Sequence, residues 1–413
     1  MPQGPAVCLD RIASSNPGAA VPSALHVIQS AGLGGSESVF AVLSRHFRAA
    51  GSPVVCAVGE EGWLTHELRK AEVAVHVLPG LGKGKVPEAG SLLALCRLIV
   101  RHDISLVHSF SFPAHAYGVL AARLTRRACL VNVRNRHYDL AGRRRAFLWR
   151  HLIAPLADAM VAVSEDLASE VERVSGRKAV CIRNGVDINP LRGTKSRAQT
   201  RAELGLPSQA LVFGTIGNMR PVKGQIDLLR AAAVAAEQVP SVRVLLIGAP
   251  EEPTATELRA FCRQAGLDGN VSFLGRRDDA VELLPAMDIF CLPSLAEGMS
   301  NALLQAMAAG LPVIATAVGG NTEVVLHPRT GLLVAPRDPA SMAEAMLSLA
   351  RDPELRSKMG QAGRDRVAER FSLTAMIKRY EQLYQGLAYR RGIGPRRDGE
   401  EVEASRCRAP RWG

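Results

Sequence analysis

Short apolar runs alternate with longer amphipathic segments along most of this chain, and this alternation restricts its fold more than any other feature. The apolar runs have the length of strands, and the segments between them have the spacing of one-sided helices. Repeated strand–helix units of this kind form a parallel sheet with helices on its faces. In the first half, the predicted strands are LHVIQ (25–29), VVCAV (54–58), VAVHVL (73–78), SLVHSF (105–110), LVNV (130–133) and MVAVS (160–164).

The pattern occurs twice, with an interruption between residues 188 and 206 that contains prolines and glycines. Within the first series, helices are predicted at 36–50, 92–102 and 143–157. The sequence therefore predicts an α/β protein of two doubly wound, Rossmann-like domains that face a central cleft, with ligands at the carboxyl ends of the strands. In the second half, the predicted strands are LVFGTIG (211–217), VRVLLIG (242–248), VSFLG (271–275), DIFCLPS (288–294) and PVIATAV (312–318).

A chain of 413 residues is too long for one ordinary core, so two domains are expected. Its last residues combine glycine, proline and mixed charges, which is typical of disordered segments. The predicted parts are a disordered leader (1–22), an N-terminal domain (23–187), a linker (188–206), a C-terminal domain (207–371), a helix that packs back on the N-terminal domain (372–387) and a disordered tail (388–413).

The composition indicates a globular protein without a membrane span, since 47% of the residues are hydrophobic and 22% are charged. The uncharged run 298–322 is long enough to cross a membrane, but Gly310 and Pro312 interrupt it, so a helix, a turn and a strand are predicted there. Eight scattered cysteines without a C-x-x-C pair predict neither a disulfide framework nor a zinc site. A cytoplasmic location is therefore expected.

Basic residues are unevenly distributed in this chain of net charge +12. Arginines cluster between residues 123 and 150, and they include Arg134, Arg143, Arg144 and Arg145. Such a cluster is predicted to bind phosphate groups or an anionic membrane surface, although each arginine by itself also fits a solvated helix face. Nucleic acid is not the expected partner, because aromatic residues form only 4% of the chain.

Two segments follow predicted strands and have the residues of a phosphate site. In QSAGLGGSE (29–37), Gly34 and Gly35 allow the backbone to approach a ligand, and a helix N-terminus follows, although a plain tight turn fits equally well. In GNMRPVKG (217–224), Arg220 and Lys223 stand between a strand and a helix, where cations, backbone N–H groups and the helix dipole all favour a diphosphate. Solvated loop cations are the alternative for the second segment.

A third segment, SLAEGMSNALLQ (294–305), brings a single carboxylate to the start of the uncharged run. Glu297 is predicted to accept hydrogen bonds from sugar hydroxyls at the carboxyl edge of the sheet. The backbone N–H groups that follow are suited to a phosphate or sugar oxygen, because the first amides of a helix lack internal partners. Gln305 lies two turns along the same helix. An acid that only caps the helix is the alternative for Glu297.

Together these motifs resemble glycosyltransferase family 4, whose members have the GT-B fold and transfer a sugar from a nucleotide donor with retention of configuration. The resemblance extends over residues 24 to 387. The segments that carry it are GLGGSE near the start, VSEDLASEV and IRNGVD at 163–187, GNMRPVKG at 217–224, FLGRRDD at 273–279 and LPSLAEGMSNALLQAMAAGLPVIATAVGGNTEVV at 292–325.

The resemblance also implies roles for individual residues. Arg220 and Lys223 bind the donor diphosphate, Gly34 and Gly35 let the first loop approach it, and Glu297 holds the donor sugar. Position 305 is a second glutamate in most relatives, and here Gln305 can still accept a hydrogen bond from a ribose hydroxyl. The phosphate cradle is completed by the amides of Gly298, Met299, Ser300 and Asn301.

Many relatives have a histidine beside the reacting carbon, at the end of the fifth strand. This chain has Arg134 there, which is suited to an acceptor anion but cannot act as a base. His137, three residues further on, is either a catalytic candidate or a solvent-facing loop residue. His108, at another strand end, is either a sugar or acceptor contact or a satisfied histidine at the edge of the core.

The expected function is retaining, metal-independent transfer of a hexosyl group from a nucleoside-diphosphate sugar, without a further cofactor. The expected acceptor is a glycan, lipid-linked and at the inner face of a bacterial membrane, in exopolysaccharide or lipopolysaccharide assembly. The protein would then be cytoplasmic and peripheral to that membrane. Two alternatives share the architecture: a nucleotide-sugar epimerase, and a non-catalytic protein that binds a nucleotide sugar.

Overall fold

The computed structural model describes residues 21–81, 88–135, 142–188 and 196–390. The first domain contains a parallel sheet of seven strands in the order β3-β2-β1-β4-β5-β6-β7. Six of these strands follow the predicted apolar runs, whereas β7 was missed because it has only two residues. The strands are β1 (Ala24–Ile28), β2 (Val54–Val58), β3 (Ala74–Val77), β4 (Leu106–Ser109), β5 (Ala128–Val133), β6 (Ala159–Ala162) and β7 (Val180–Cys181).

Helices cover both faces of this sheet. Gly35–Ala49 and Trp63–Lys70 pack together on one face, and Phe112–Leu124 packs against Ala89–Arg101 on the other. The helix predicted at 143–157 is present but irregular, because it changes from α to π geometry and back. Its segments are Arg143–Leu148, the π segment Trp149–Ile153 and Ala154–Leu156, and the helix Glu165–Ser175 follows β6.

The second domain contains a six-stranded parallel sheet in the order β10-β9-β8-β11-β12-β13. The prediction missed β13, which has three residues and follows a loop rather than a long helix. The strands are β8 (Leu211–Ile216), β9 (Val242–Ile247), β10 (Val271–Gly275), β11 (Ile289–Leu292), β12 (Val313–Thr316) and β13 (Leu332–Val334). Two doubly wound α/β domains are thus confirmed.

The helices of the second domain support its sheet on both sides. They are Gln225–Gln238, Thr254–Gln264, Asn301–Ala308, Asn321–Val324, Pro339–Arg351 and Pro353–Arg370, with 3-10 turns at Pro221–Lys223 and Ala280–Ala286. The uncharged run forms the predicted helix, turn and strand. Its helix buries one face against Pro353–Arg370, which explains why it lacks charge.

The predicted linker, 188–206, needs a correction. Residues 189–195 lie outside the described residues, but Arg197–Glu203 is a helix that packs on the turn Ala280–Ala286. Arg201 anchors it, donating to Asp288 Oδ2 at 2.7 Å and to the carbonyl oxygen of Ala286 at 3.0 Å. The end of the predicted linker therefore belongs to the second domain.

The last helix, Leu373–Arg390, follows the second domain in sequence but lies on the first domain. Tyr384 donates or accepts hydrogen bonds with His26 Nε2 at 2.8 Å and His108 Nδ1 at 2.5 Å, and Tyr380 accepts one from Asn132 at 2.8 Å. The disordered tail was predicted to begin at Ala388, but this residue is buried within the helix. The leader up to residue 20 and the tail from residue 391 lie outside the described residues.

No helix in the described part of the chain combines the length and the apolar character that crossing a membrane requires.

Candidate functional site

The central feature of the cleft is an ion pair between two loops of the second domain. Lys223 follows β8 and Glu297 follows β11, and these strands are neighbours in the sheet. Lys223 Nζ lies 2.6 Å from Glu297 Oε1, which also accepts a hydrogen bond from Ser294 Oγ at 2.7 Å. The Glu297 side chain is only 7% exposed, so its charge needs these partners. The structure thus brings together a cation and an acid that lie 74 residues apart in sequence.

Arg220 lies at the same edge of the sheet and is oriented by an acid that the sequence analysis did not identify. Its Nε donates to both carboxylate oxygens of Glu251 at 2.6 Å, and Asn218 Nδ2 donates to Glu251 Oε1 at 3.2 Å. Glu251 follows β9, which is the neighbour of β8 in the sheet. The sequence could have indicated this residue, because it is an acid that comes shortly after the predicted strand 242–248. Because both side chains remain more than a third exposed, the guanidinium is accessible to a ligand.

The amide groups of residues 298–301 lie at the N-terminus of the helix Asn301–Ala308, as predicted. Ser300 caps this helix, because its Oγ accepts a hydrogen bond from Leu303 N–H at 3.3 Å. The loop after β12 supports the cradle from behind, since Gly320 N–H donates to the Gly298 carbonyl oxygen at 3.0 Å. Gln305 is partly exposed in the second turn of this helix.

The glycine loop of the first domain lies directly opposite this cradle. Gly34 has an extended backbone and precedes the helix Gly35–Ala49. Asn301 Nδ2 donates across the cleft to the carbonyl oxygen of Gly35 at 3.3 Å. Two helix N-termini therefore face each other, an arrangement that favours an anion between them.

Arg134 does not occupy the open acceptor position that the sequence suggested. It is 6% exposed, and its Nη2 donates to Asn184 Oδ1 at 2.9 Å and to the Gly35 carbonyl oxygen at 3.4 Å. Asn184, in the IRNGVD motif, was given no role, yet its Nδ2 donates to Met299 O at 3.0 Å and to Asn301 Oδ1 at 2.8 Å. These contacts join the two domains, so we interpret Arg134 as a residue that supports the cradle.

Gly298 is expected to tolerate no side chain. A Cβ atom there would lie 2.0 Å from the carbonyl oxygen of Arg134, closer than any real contact of this kind, so Gly298→Ala should force the two domains apart. We expect a larger radius of gyration by small-angle X-ray scattering. Gly269→Ala is the matched control, because a Cβ at Gly269 meets nothing within 4 Å. An unchanged radius in the Gly298 variant would show that the loops separate without domain movement.

Of the two histidine candidates, His108 is not supported as a catalytic group. His108 was predicted at an open strand end, but its ring is fully buried between the first sheet and the C-terminal helix. Burial, and then repulsion from His26, holds the pKa of His108 well below its usual value, so the ring is neutral. His137 lies outside the described residues.

The arginine triplet lies on the first domain, in the helix Arg143–Leu148. Arg143 and Arg144 are exposed, and the Arg145 guanidinium lies 5.1 Å from the ring centre of Phe112. Phe147 lies in the same helix and is 63% exposed, which is unusual for a large apolar side chain. This surface is both basic and apolar.

Two facing Rossmann-like domains, with cations and helix amides at the cleft, define the class of GT-B glycosyltransferases. Family models agree with this assignment. Residues 33–190 match the model described as Glycosyltransferase Family 4, and residues 196–366 match the model described as Glycosyl transferases group 1. Between them the two models extend over most of the chain, which therefore belongs to glycosyltransferase family 4.

The chain is similar to several curated enzymes. It is 32% identical to the N-acetyl-alpha-D-glucosaminyl L-malate synthase of Bacillus anthracis over 230 residues, which is 55% of this chain and 59% of that one. It is 25% identical to the UDP-Gal:alpha-D-GlcNAc-diphosphoundecaprenol alpha-1,3-galactosyltransferase of Escherichia coli over 310 residues, 72% of this chain and 80% of that one. The match spans 59% of the length of the Bacillus anthracis enzyme and 46% of the length of the similar D-inositol 3-phosphate glycosyltransferase of Corynebacterium efficiens.

Among solved structures, Anabaena HepE in complex with UDP and glucose has the same fold. The TM-score is 0.81 at 23% sequence identity, and the match covers 89% of this chain and all of the other. The predicted GT-B fold is thus confirmed.

Proposed function

We propose that this protein is a retaining glycosyltransferase that moves a hexosyl group from a nucleoside-diphosphate sugar to a glycan acceptor. The observation that carries the proposal is the Lys223–Glu297 pair at the cleft, at 2.6 Å, beside the amides of residues 298–301. The cation and the helix amides are suited to a diphosphate, and the carboxylate beside them is suited to the hydroxyl groups of a sugar. Ser300 caps the helix Asn301–Ala308, so Glu297 is not needed as its cap.

In the proposed reaction, the bond from the donor C1 to the diphosphate oxygen breaks while the acceptor oxygen bonds to C1 on the same face. The acceptor hydroxyl proton passes to the departing phosphate oxygen, so the protein supplies no nucleophile. Lys223 and Arg220 stabilise the negative charge that grows on the diphosphate, and Glu297 orients the sugar. The same two cations would replace a divalent metal ion, and we propose that the enzyme needs none.

We infer a UDP-sugar as the donor, because HepE structures are described with UDP and with UDP-glucose. The E. coli relative is described as acting on a diphosphoundecaprenol-linked sugar, which supports a lipid-linked glycan acceptor in cell-surface polysaccharide synthesis. A cytoplasmic protein that is peripheral to the inner membrane face would reach such an acceptor.

The proposal is tested by incubating the protein with a panel of UDP-sugars, with and without GlcNAc-diphosphoundecaprenol. Transfer with an α-linkage from an α-configured donor, seen by NMR and unaffected by EDTA, is expected. An isomerised sugar in the absence of acceptor would indicate the epimerase instead. Binding of UDP-sugars without transfer to this or other glycan acceptors would favour the non-catalytic alternative.

The arginine triplet supports a further part of the proposal, contact with an anionic membrane. Arg143 and Arg144 are exposed beside Phe147, and cations flanking an exposed aromatic ring are suited to phosphate headgroups. Changing Arg143, Arg144 and Arg145 to glutamate should weaken binding to liposomes that contain phosphatidylglycerol by about 10-fold or more. Co-sedimentation measures this.

The matched control for the liposome experiment reverses Arg263, Arg329 and Arg351, which are exposed residues of the second domain. It changes the net charge by the same amount, so binding should remain near the wild-type level. Equal loss in both variants would mean that only total charge matters, and the proposed membrane face would be wrong.

A further inference from the structure

We propose that Glu323 is a positioning residue that couples contact between the two domains to the placement of Glu297. Glu323 lies in the short second-domain helix Asn321–Val324, and its side chain is 17% exposed. Its carboxylate binds the first domain. Oε1 accepts hydrogen bonds from the backbone N–H groups of Glu165 at 2.7 Å and Asp166 at 3.2 Å, and Oε2 accepts one from Arg183 Nε at 3.0 Å.

These contacts complete the cap of a first-domain helix with a residue from the second domain. In the helix Glu165–Ser175, the cap residue Ser164 accepts a hydrogen bond from Leu167 N–H, at 3.2 Å. The first two amides of this helix donate instead to Glu323. A carboxylate at a helix N-terminus is stabilised by the free N–H groups and by the helix dipole, so this contact is stronger than an ordinary surface ion pair.

Arg183 balances the acidic groups around this contact. Glu165 is itself an acid and lies beside Glu323, which would be unfavourable without a cation between them. Arg183 Nη2 lies 3.2 Å from Glu165 Oε1 while its Nε binds Glu323. Arg183 directly precedes Asn184, the residue that holds the Met299 carbonyl oxygen. Two adjacent residues of the first domain, Arg183 and Asn184, therefore both contact the second domain.

On the second-domain side, Glu323 is joined to Glu297 through backbone contacts. Gly319 and Gly320 directly precede its helix, and a Cβ atom at Gly319 would lie 1.9 Å from the Glu297 carbonyl oxygen. Arg366 holds the other side, because its Nη2 donates to the Glu323 carbonyl oxygen at 2.7 Å. A segment packed this closely does not shift alone, so loss of the Glu323 contact is expected to loosen the loop that carries Glu297.

The structural part of this inference is tested without any ligand, by hydrogen–deuterium exchange of the whole protein. In Glu323→Ala, amides in two regions, residues 163–170 and 294–301, should exchange about 10-fold faster or more, because both lose a fixed neighbour. Glu323→Gln retains an acceptor oxygen for the amides, so it should restore part of the protection. Glu354→Gln is the control, since Glu354 pairs with Lys358 on an exposed helix surface.

Faster exchange at 163–170 without a change at 294–301 would mean that Glu323 only caps a helix, and this would overturn the coupling. Unchanged exchange in both regions would overturn the contact itself.

The functional part rests on the proposed function and uses UDP as the probe. Calorimetry should show that Glu323→Ala binds UDP about 5-fold more weakly than the wild-type protein, a typical size for coupling between sites, and that Glu323→Gln lies between the two. Wild-type affinity in the Glu323→Ala variant would overturn the functional part. A wild-type protein that fails to bind UDP would count against the proposed donor, whereas the exchange experiment would still decide the role of Glu323.

Discussion

Replacing Lys223 by methionine is expected to lower kcat/KM for sugar transfer by about 10²–10³-fold, the usual cost of one donor that stabilises developing charge. The ammonium group lies at the carboxyl edge of the second sheet, in the turn that enters the helix Gln225–Gln238. In the free protein it is held by Glu297 at 2.6 Å, so it is oriented before the donor binds. The proposed reaction has no other group that both touches Glu297 and carries positive charge within the described residues.

The same substitution is expected to destabilise the fold by about 1–3 kcal/mol, because a buried carboxylate loses its charged hydrogen-bond donor. Glu297 is 7% exposed and would retain only Ser294 as a donor among the described residues. The double variant Lys223→Met with Glu297→Gln should recover most of this stability, since a neutral amide needs no counter-charge. It should recover no activity, which separates the catalytic loss from unfolding.

The loss of activity is measured as the transfer rate with the UDP-sugar that the panel experiment identifies. The loss of stability is measured by thermal unfolding curves. Lys358→Met is the matched control, because Lys358 and its partner Glu354 are both highly exposed. Its activity and stability should equal those of the wild-type protein. Near-wild-type transfer by the Lys223 variant would remove this residue from the proposed mechanism.

The second large effect is a loss of stability in mild acid that originates in the first domain. His26 lies under the C-terminal helix, with Nδ1 2.7 Å from Ser44 Oγ, and His115 Nδ1 lies 2.9 Å from Ser109 Oγ. Burial lowers the pKa of His26 to about 3 and the pKa of His115 to about 3. Both rings are therefore neutral in the folded protein near neutral pH.

The direction in which stability changes with pH follows from the number of protons that the folded and unfolded chains bind. The unfolded chain protonates these histidines below a pKa of about 6.5, whereas the folded protein does not until about pH 3, so stability falls as the pH decreases through this window. At pH 5 each ring should lower the free energy of unfolding by about 2 kcal/mol relative to pH 7 or above, where the full stability is present. The lowered pKa of His108 acts in the same direction.

Thermal unfolding between pH 7 and pH 5 measures this dependence. His115→Gln should reduce the slope of the melting temperature against pH, whereas His66→Gln, on an exposed helix surface, should leave it unchanged. A melting temperature that stays constant from pH 7 to pH 5 would show that the folded and unfolded chains protonate these rings alike, so that burial does not lower their pKa values.

Much of the donor side of the site was accessible from the sequence, because it depends on local order along the chain. An apolar strand, a turn with cations and a helix occur within residues 211–238, so Arg220 and Lys223 could be assigned to the carboxyl edge of a sheet. The same reasoning places Glu297 before its helix. The alternation of strands and helices likewise predicted both sheets, apart from β7 and β13, which are too short to show a period.

The sequence alone determined two α/β domains and the residues at the strand ends of the second one, because periodicity and turn residues are properties of neighbouring positions. Only the tertiary structure decided which distant groups meet. It buried His108 under a helix from the other end of the chain, turned Arg134 onto Asn184 and brought Glu323 to the end of a first-domain helix. Such contacts join residues 50 to 276 positions apart, and a separation of that size leaves no periodic trace in sequence.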